Sequence, residues 1–118
     1  MLWVNCQGQA EAALKAVDLL LHGGGFGLIV FDLADIAETS VRRISMPSWF
    51  RLRRAAEETG TALITLTPTP QTRSCSAVCI ELKRTKSLWR GKLFRGLASL
   101  LETRKHTGLR SASFESVL

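Results

Sequence analysis

The sequence predicts an α/β protein, and three observations lead to that class. Short apolar runs alternate with longer segments in which apolar residues recur every three or four positions, the patterns of buried strands and amphipathic helices. Glycine or proline lies at the ends of several of these segments, where helices and strands stop. After residue 76 apolar and polar residues alternate instead, as in antiparallel strands. The predicted architecture is a partial parallel sheet in the order β-α-β-α-β, followed by a C-terminal antiparallel β-meander.

The composition fits one globular domain. The 118 residues are 46% apolar and 22% charged, so we predict a single domain over residues 1–118, with a parallel half-core at 1–67 and an antiparallel extension at 76–118. No apolar run approaches the roughly 20 residues needed to cross a bilayer. Residues 1–10 also lack the charged start of a signal peptide. The expected location is the cytoplasm, with no membrane contact.

The first half of the predicted half-core is a strand, a helix and a second strand. Leu2 to Asn5 is a short apolar run that predicts a buried strand. Gln9 to His22 has the i, i+3, i+4, i+7 spacing of one apolar helical face, and Gly23 to Gly25 should end this helix. Leu28 to Phe31 is apolar at every position, as expected of a parallel strand covered on both faces, and Asp32 ends it.

A loop over residues 33–47 leads to the second predicted helix, Ser48 to Thr59. Its apolar residues again recur at helical spacing, and Gly60 closes it. Thr61 to Thr67 has the composition of a strand and is followed by two prolines, which cannot donate to a ladder. These elements complete the predicted parallel half-core.

The C-terminal part predicts antiparallel strands. The alternation over Ala77 to Arg84 predicts a half-exposed strand with three apolar side chains directed inward. These are Val78, Ile80 and Leu82. Residues 93–104 fit both a helical face and a strand. Lys105 to Ser111 is typical of a turn, and Ser113 to Leu118 of a last short strand.

Basic residues are concentrated near the C-terminus. The chain has 16 Lys and Arg against 10 Asp and Glu, and residues 83–110 hold nine of these bases with a single acid, Glu102. Cations interleaved with aromatic rings suit phosphate contact and base stacking, although a basic patch is also a common solvated surface. The candidate nucleic-acid-binding residues are Lys83, Arg84, Lys86, Trp89, Arg90, Lys92 and Arg95.

The sequence gives little support for an enzyme. Asp32, at the end of an apolar strand, is placed like a Walker B carboxylate, but strand tips often carry Asp because they reach solvent. The chain has no Gly-x4-Gly-Lys-Ser/Thr P-loop, and Gly23 to Gly27 contains no lysine. His22 and His106 have no nucleophile at a useful spacing, and the three cysteines fit neither a disulfide framework nor a zinc site. We predict no catalytic residue, no metal and no cofactor.

Taken in order, these motifs resemble the second half of the RecA-type ATPase core. Leu28 to Asp32 is similar to the family's Walker B strand, and Arg53 to Thr67 is similar to its next helix and strand. Ser76 to Arg84 resembles the antiparallel strand after the second DNA-binding loop. The segment from Gly96 onward resembles the terminal β-meander, which favours a strand at residues 93–104.

Among RecA relatives, the chain is most similar to the ImuA-type accessory proteins of bacterial translesion synthesis, as a degenerate and N-terminally truncated form. The resemblance implies a non-catalytic accessory protein of DNA repair in the SOS response. Its implied partner is a Y-family-like polymerase homologue or a RecA-type protein. The family's P-loop and catalytic glutamate precede the matched region, so ATP hydrolysis is not implied. Thr67-Pro68 replaces the expected amide sensor.

Two alternatives share this resemblance. SulA-type inhibitors of cell division have a similar reduced core, which would make a division protein the partner. A fragment of a RecA-type ATPase without an independent role is the other. In each case a reduced sheet leaves edges whose backbone groups need pairing, so we expect partner capture or a homo-oligomer.

Overall fold

The computed structural model describes residues 1–105 and 111–117, which form two compact units. The first unit spans Met1–Cys75, and the second begins at Ser76. Helices and a parallel sheet make up the first, and an antiparallel sheet makes up the second, which confirms the α/β class. The predicted half-core and extension fall in different units, and a single domain over residues 1–118 stays a prediction.

The first unit is α-β-α-α-β in chain order, and the second has three strands. The elements of the first unit are α1 (Ala10–Gly23), β1 (Leu28–Asp32), α2 (Glu38–Arg42), α3 (Met46–Thr59), β2 (Ala62–Leu66) and a 3₁₀ turn at Pro70–Ser74. The second unit contains β3 (Cys79–Arg90), β4 (Leu93–Lys105) and β5 (Ser111–Val117). Both long predicted helices are confirmed to within two residues at each end.

The core of the first unit lies between its helices and one face of its sheet. Helices α1 and α3 pack against each other, and each also contacts a strand. Phe31 of β1 meets Trp49 of α3 with ring centroids 6.0 Å apart, and both side chains are buried. Leu21 and Leu52 pack in the same core, and their side chains are at most 1% exposed. The predicted amphipathic faces of both helices therefore form this core.

Strands β1 and β2 pair in parallel, with Leu28 opposite Ala62 and Asp32 opposite Leu66. The Thr61 hydroxyl fixes the start of this ladder by donating to the carbonyl of Phe26 at 2.8 Å. Gly60, at φ 67°, ends α3 in the left-handed conformation that lets the chain turn directly into β2. The crossover from β1 to β2 runs through α2 and α3.

The predicted strand at Leu2 to Asn5 is wrong. These residues lie outside any helix or strand, and their side chains are exposed. A strand needs a neighbour for its backbone groups, and in residues 1–105 and 111–117 β1 and β2 pair only with each other. The described order is therefore one strand short of β-α-β-α-β. The predicted loop at 33–47 contains α2, which Val41 anchors because its side chain is fully buried.

The prediction that Leu28 to Phe31 is covered on both faces is also wrong. Burial alternates along β1, with Ile29 and Phe31 buried and Leu28 and Val30 each 55% exposed. A strand that is apolar at every position is able to be buried on both faces. Actual coverage needs a second layer of helices, which the described residues of this unit do not supply.

The second unit is an antiparallel sheet in the order β3-β4-β5. The strand predicted at residues 93–104 is confirmed by β4, and the last predicted strand is confirmed by β5, which starts at Ser111. The predicted turn at Lys105 to Ser111 falls mainly on residues 106–110, which lie outside the described residues, as does Leu118.

Gly96 allows β4 and β5 to approach each other. A Cβ atom at this position would lie 1.9 Å from the backbone oxygen of Ser116, and φ is +156°. No side chain fits in that space, so the pairing of Gly96 with Val117 requires glycine.

The predicted inward direction of three apolar side chains at the start of the second unit is wrong. Val78, Ile80 and Leu82 are all about half exposed or more, and β3 continues beyond Arg84 to Arg90. Alternation identifies one face of a strand, but burial of that face requires a second layer. Within the described part of the second unit only Gly96 is buried, so these strands supply no second layer of their own to bury either face.

Candidate nucleic-acid interface

The strand register divides the side chains of the second unit between two faces, because residues directly opposite each other on antiparallel strands share a face. We term them the aromatic face and the ion-pair face. The aromatic face includes Ile80, Leu82, Arg84, Ser87, Trp89, Phe94, Leu97, Ser99, Leu101, Ala112 and Phe114. The ion-pair face includes Glu81, Lys83, Lys86, Leu88, Arg90, Ala98, Leu100, Glu102, Arg104 and Glu115.

A bulge at Thr85 separates two of the candidate cations. The register passes from Arg84 opposite Ser99 to Lys86 opposite Ala98, so Thr85 has no opposite residue. Its hydroxyl donates instead to the Ala98 carbonyl at 3.0 Å. The extra residue interrupts the alternation of side chains, and Arg84 and Lys86 therefore lie on opposite faces.

A second irregularity brings two aromatic rings together at the end of the hairpin. The register shifts between Leu88 and Trp89, which sets Trp89 opposite Phe94 and leaves Arg95 unpaired in the ladder. The two rings meet edge to face, with centroids 5.3 Å apart and an angle of 71°. Trp89 is 59% exposed and Phe94 37%. The indole is therefore accessible and is not a core side chain of the meander.

The predicted cations do not form one patch. Lys83, Lys86 and Arg90 lie on the ion-pair face and Arg84 on the aromatic face, while Lys92 lies in the hairpin turn beside Gly91. Lys83 is engaged with carboxylates. In the described residues the other five predicted cations form no ion pair, and these are Arg84, Lys86, Arg90, Lys92 and Arg95.

Four charged side chains form a compact network on the ion-pair face. Arg104 donates from Nε to Glu81 at 2.6 Å and approaches Glu102 through Nη2 at 2.7 Å. Lys83 Nζ lies 3.1 Å from Glu102 and 3.7 Å from Glu81. The hydrogen bond from Arg104 is the main cause that lowers the pKa of Glu81 below its ordinary value. Both carboxylates are therefore already neutralised within the sheet.

Sequence reasoning missed Phe114 as a member of this surface. Its side chain is 43% exposed and lies opposite Ser99, which lies opposite Arg84. The alternation of Phe114 with polar neighbours in Ser111–Val117 was a usable signal. The face that it shares with Trp89 and Arg84 could not be read from that segment alone, because it depends on the register of three strands.

Asp32 lies at the tip of β1, where the strand prediction placed it. Its side chain is exposed, and Oδ1 accepts a hydrogen bond from the Ala34 backbone N–H at 2.9 Å. This contact stabilises the turn after the strand.

In the part of the chain that the structure describes, no three His, Cys, Asp or Glu side chains come together to hold a metal ion.

A separate apolar surface lies on the parallel sheet of the first unit. Leu28, Val30, Ile64 and Leu66 all point away from the helices and are 43–55% exposed. We term these four residues the bare face. Asp32, opposite Leu66, is the charged residue of β1 and β2 on this side. Parallel sheets are usually covered on both faces, so this surface is unusual for the fold class.

Comparison of the chain with models of known protein families and with curated proteins returns no match. No helix within residues 1–105 and 111–117 is long and apolar enough to cross a membrane.

Proposed function

We propose that this chain is a non-catalytic accessory protein of the bacterial DNA-damage response that acts in the cytoplasm during translesion synthesis. Its first unit binds a protein partner through the bare face. The observation that carries this proposal is the exposure of Leu28, Val30, Ile64 and Leu66 on one side of a parallel sheet. The RecA-type and ImuA-type resemblance supports the pathway, and it implies a Y-family-like polymerase homologue as the partner.

The bare face favours an apolar helix as its occupant. Parallel sheets in α/β proteins are covered by helices that present an apolar stripe. Completing the burial of four half-exposed aliphatic side chains would contribute about 3–6 kcal/mol, at about 1.5–3 kcal/mol for each complete burial. That amount is useful to an interface, since 1.4 kcal/mol changes a dissociation constant tenfold.

Calorimetric titration with the purified polymerase homologue tests this proposal. Val30→Lys and Ile64→Lys together place two charges on the bare face, and both positions already reach solvent, so the fold should survive. We expect the double variant to lose binding by at least tenfold. Leu19→Lys is the matched control, because Leu19 is an exposed leucine of α1 that lies away from the bare face.

Three results would contradict the proposed docking surface or the proposed partner. Unchanged affinity in the double variant would exclude the bare face as the docking surface. Binding to a division protein rather than to the polymerase homologue would favour the SulA-like alternative. Self-association that the same two substitutions abolish would make a second copy of the chain the occupant, and sedimentation of the protein without partner detects it.

A second function, weak binding of nucleic acid, is favoured by a different observation. The Trp89 indole is accessible beside cations that have no ion pair among the described residues, such as Lys92 and Arg95. Cations and accessible rings together suit backbone and base contacts without sequence preference. Fluorescence anisotropy of a labelled oligonucleotide tests it, and the absence of binding at low salt would contradict it.

A further inference from the structure

We propose that the aromatic face binds single-stranded nucleic acid by stacking unpaired bases on Trp89, Phe94 and Phe114. This inference rests on the proposed nucleic-acid contact and specifies the strand class and the face of the sheet. Three features of the second unit carry it: the separation of its carboxylates from this face, the accessibility of the rings, and the position of Arg84.

The three glutamates of the second unit, all within the residues that the structure describes, lie on the other side of the sheet. Glu81 and Glu102 are opposite each other, and Glu115 lies opposite Ala98, which places all three on the ion-pair face. Lys83 and Arg104 already neutralise two of them. A polyanion approaching the aromatic face therefore meets no carboxylate of this sheet, and like-charge repulsion does not oppose it.

The rings on the aromatic face are accessible at two places in the sheet, the hairpin end and strand β5. Trp89 and Phe94 lie at the hairpin end, and Phe114 lies on β5 in the row that also holds Arg84 and Ser99. Neighbouring strands are about 4.8 Å apart, so Arg84 and Phe114, two strands apart, are separated by roughly 10 Å. A cation can thus contact a phosphate while a neighbouring base stacks on the phenylalanine.

This arrangement selects unpaired bases. Stacking on a side chain requires a free base face, which a duplex offers only at its ends, whereas every base of a single strand can provide one. Sheets with exposed aromatic residues are an established way of binding unpaired bases. The aliphatic residues Ile80 and Leu82 extend the same face, so an apolar protein surface is the competing occupant. Within the described strands this face carries Arg84 and no glutamate, which favours a polyanion instead.

The face assignment also limits how many cations reach the phosphates. Arg84 lies on the aromatic face, and Lys92 and Arg95 lie at the turn and bulge, whereas Lys86 and Arg90 point to the ion-pair face. Three phosphate contacts give a log–log salt slope of about −2 for a single strand, against about −4 for all six predicted cations.

The experiment measures anisotropy of a labelled single strand and of the matching duplex with the full chain over a range of salt. Phe114→Leu removes the ring but keeps apolar bulk, and Phe114→Tyr keeps the ring. We expect the single strand to bind more tightly than the duplex with a slope near −2. Phe114→Leu should weaken binding by roughly 5- to 150-fold, and Phe114→Tyr should leave it unchanged. The matched control, Lys86→Gln with Arg90→Gln, should change affinity less than Arg84→Gln does.

Equal affinity for duplex and single strand, or a Phe114→Leu variant that binds like the wild type, would overturn the stacking proposal. If Arg84→Gln still weakens binding in that case, the nucleic-acid contact itself stands. No binding of either nucleic acid by the folded wild-type protein would overturn both. Protection of the aromatic face by a protein partner, while the oligonucleotide does not bind there, would also overturn the stacking proposal in favour of an apolar protein surface.

Discussion

The indole ring of Trp89 meets the ring of Phe94 edge-on, with centroids 5.3 Å apart, across the end of the β3–β4 hairpin. Both rings remain accessible, so the pair joins two strands without closing over a core. A contact of this kind contributes little to folding and leaves a ring available to a ligand. This separation of stability from binding can be measured.

Trp89→Ala should lower the free energy of unfolding by about 1–3 kcal/mol, because an edge-to-face aromatic pair contributes about 0.5–1.5 kcal/mol beyond the burial of its area, and the indole is 59% exposed. The affinity for single-stranded nucleic acid should fall by about 1–3 kcal/mol if a base stacks on the indole. Thermal unfolding and anisotropy on the same sample measure both. A variant that is strongly destabilised yet binds as before would show that the indole packs within the sheet and does not stack on a base.

Gly96→Ala should break the pairing of β4 with β5. The new methyl group would overlap the backbone oxygen of Ser116, and such overpacking costs about 1–3 kcal/mol. Hydrogen exchange at the β5 amides should rise in this variant. Gly27→Ala is the control, since nothing lies within 4 Å of its added methyl group. Equal exchange in both variants would contradict the close approach at Gly96.

The Arg104–Glu81 contact should make the stability of the second unit depend on pH in the acidic range. Arg104 lowers the pKa of the Glu81 carboxyl from 4.5 mainly through its hydrogen bond. Because the folded value is the lower one, the stabilisation is present above pH 4.5 and is lost as the pH falls through the folded pKa. The melting temperature measured above pH 4.5 should therefore exceed the one measured below the folded pKa of Glu81. Glu81→Gln should reduce this difference in melting temperature.

Glu115→Gln is the matched control for this pH dependence. Glu115 lies on the same face and forms no ion pair within the described residues. Its substitution should leave the acid response as in the wild type. If Glu81→Gln also leaves it unchanged, the Arg104 contact does not stabilise the folded sheet.

Asp32→Ala should lower the free energy of unfolding by less than about 1.5 kcal/mol, because it removes one solvent-exposed hydrogen bond to the Ala34 amide.

We also expect that ATP and magnesium do not raise the melting temperature of the wild-type protein, since the sequence has no P-loop. Differential scanning fluorimetry measures both effects. A nucleotide-dependent increase that disappears in Asp32→Ala would show that the carboxylate serves a nucleotide site.

Helical periodicity and strand-ending residues were enough to predict most of the elements. Both α1 and α3 follow from their apolar spacing, and the glycines at 24 and 60 mark their ends. Coverage of the sheets was not predictable, because an apolar strand such as β1 looks the same whether one face or both are packed. The strand prediction at Leu2 to Asn5 was wrong for a related reason, since a short apolar run cannot reveal whether a neighbouring strand exists to pair with it.

The candidate site was predictable in composition but not in arrangement. The cations and Trp89 are visible in the sequence, whereas their distribution over two faces depends on the bulge at Thr85. Nothing in the local sequence Arg84-Thr85-Lys86 distinguishes a bulged strand from a regular one. Phe114 joins the surface only through the register of β5 with β4.

Methyl NMR of the isotopically labelled chain, titrated with the unlabelled polymerase homologue, tests the proposed docking surface most directly. We expect the methyl signals of Val30 and Ile64 to shift, while those of the exposed Leu19 and the buried Leu52 stay in place. Shifts confined to α1, or no shift at a partner concentration that saturates binding, would contradict the assignment of the bare face as the site where the partner binds.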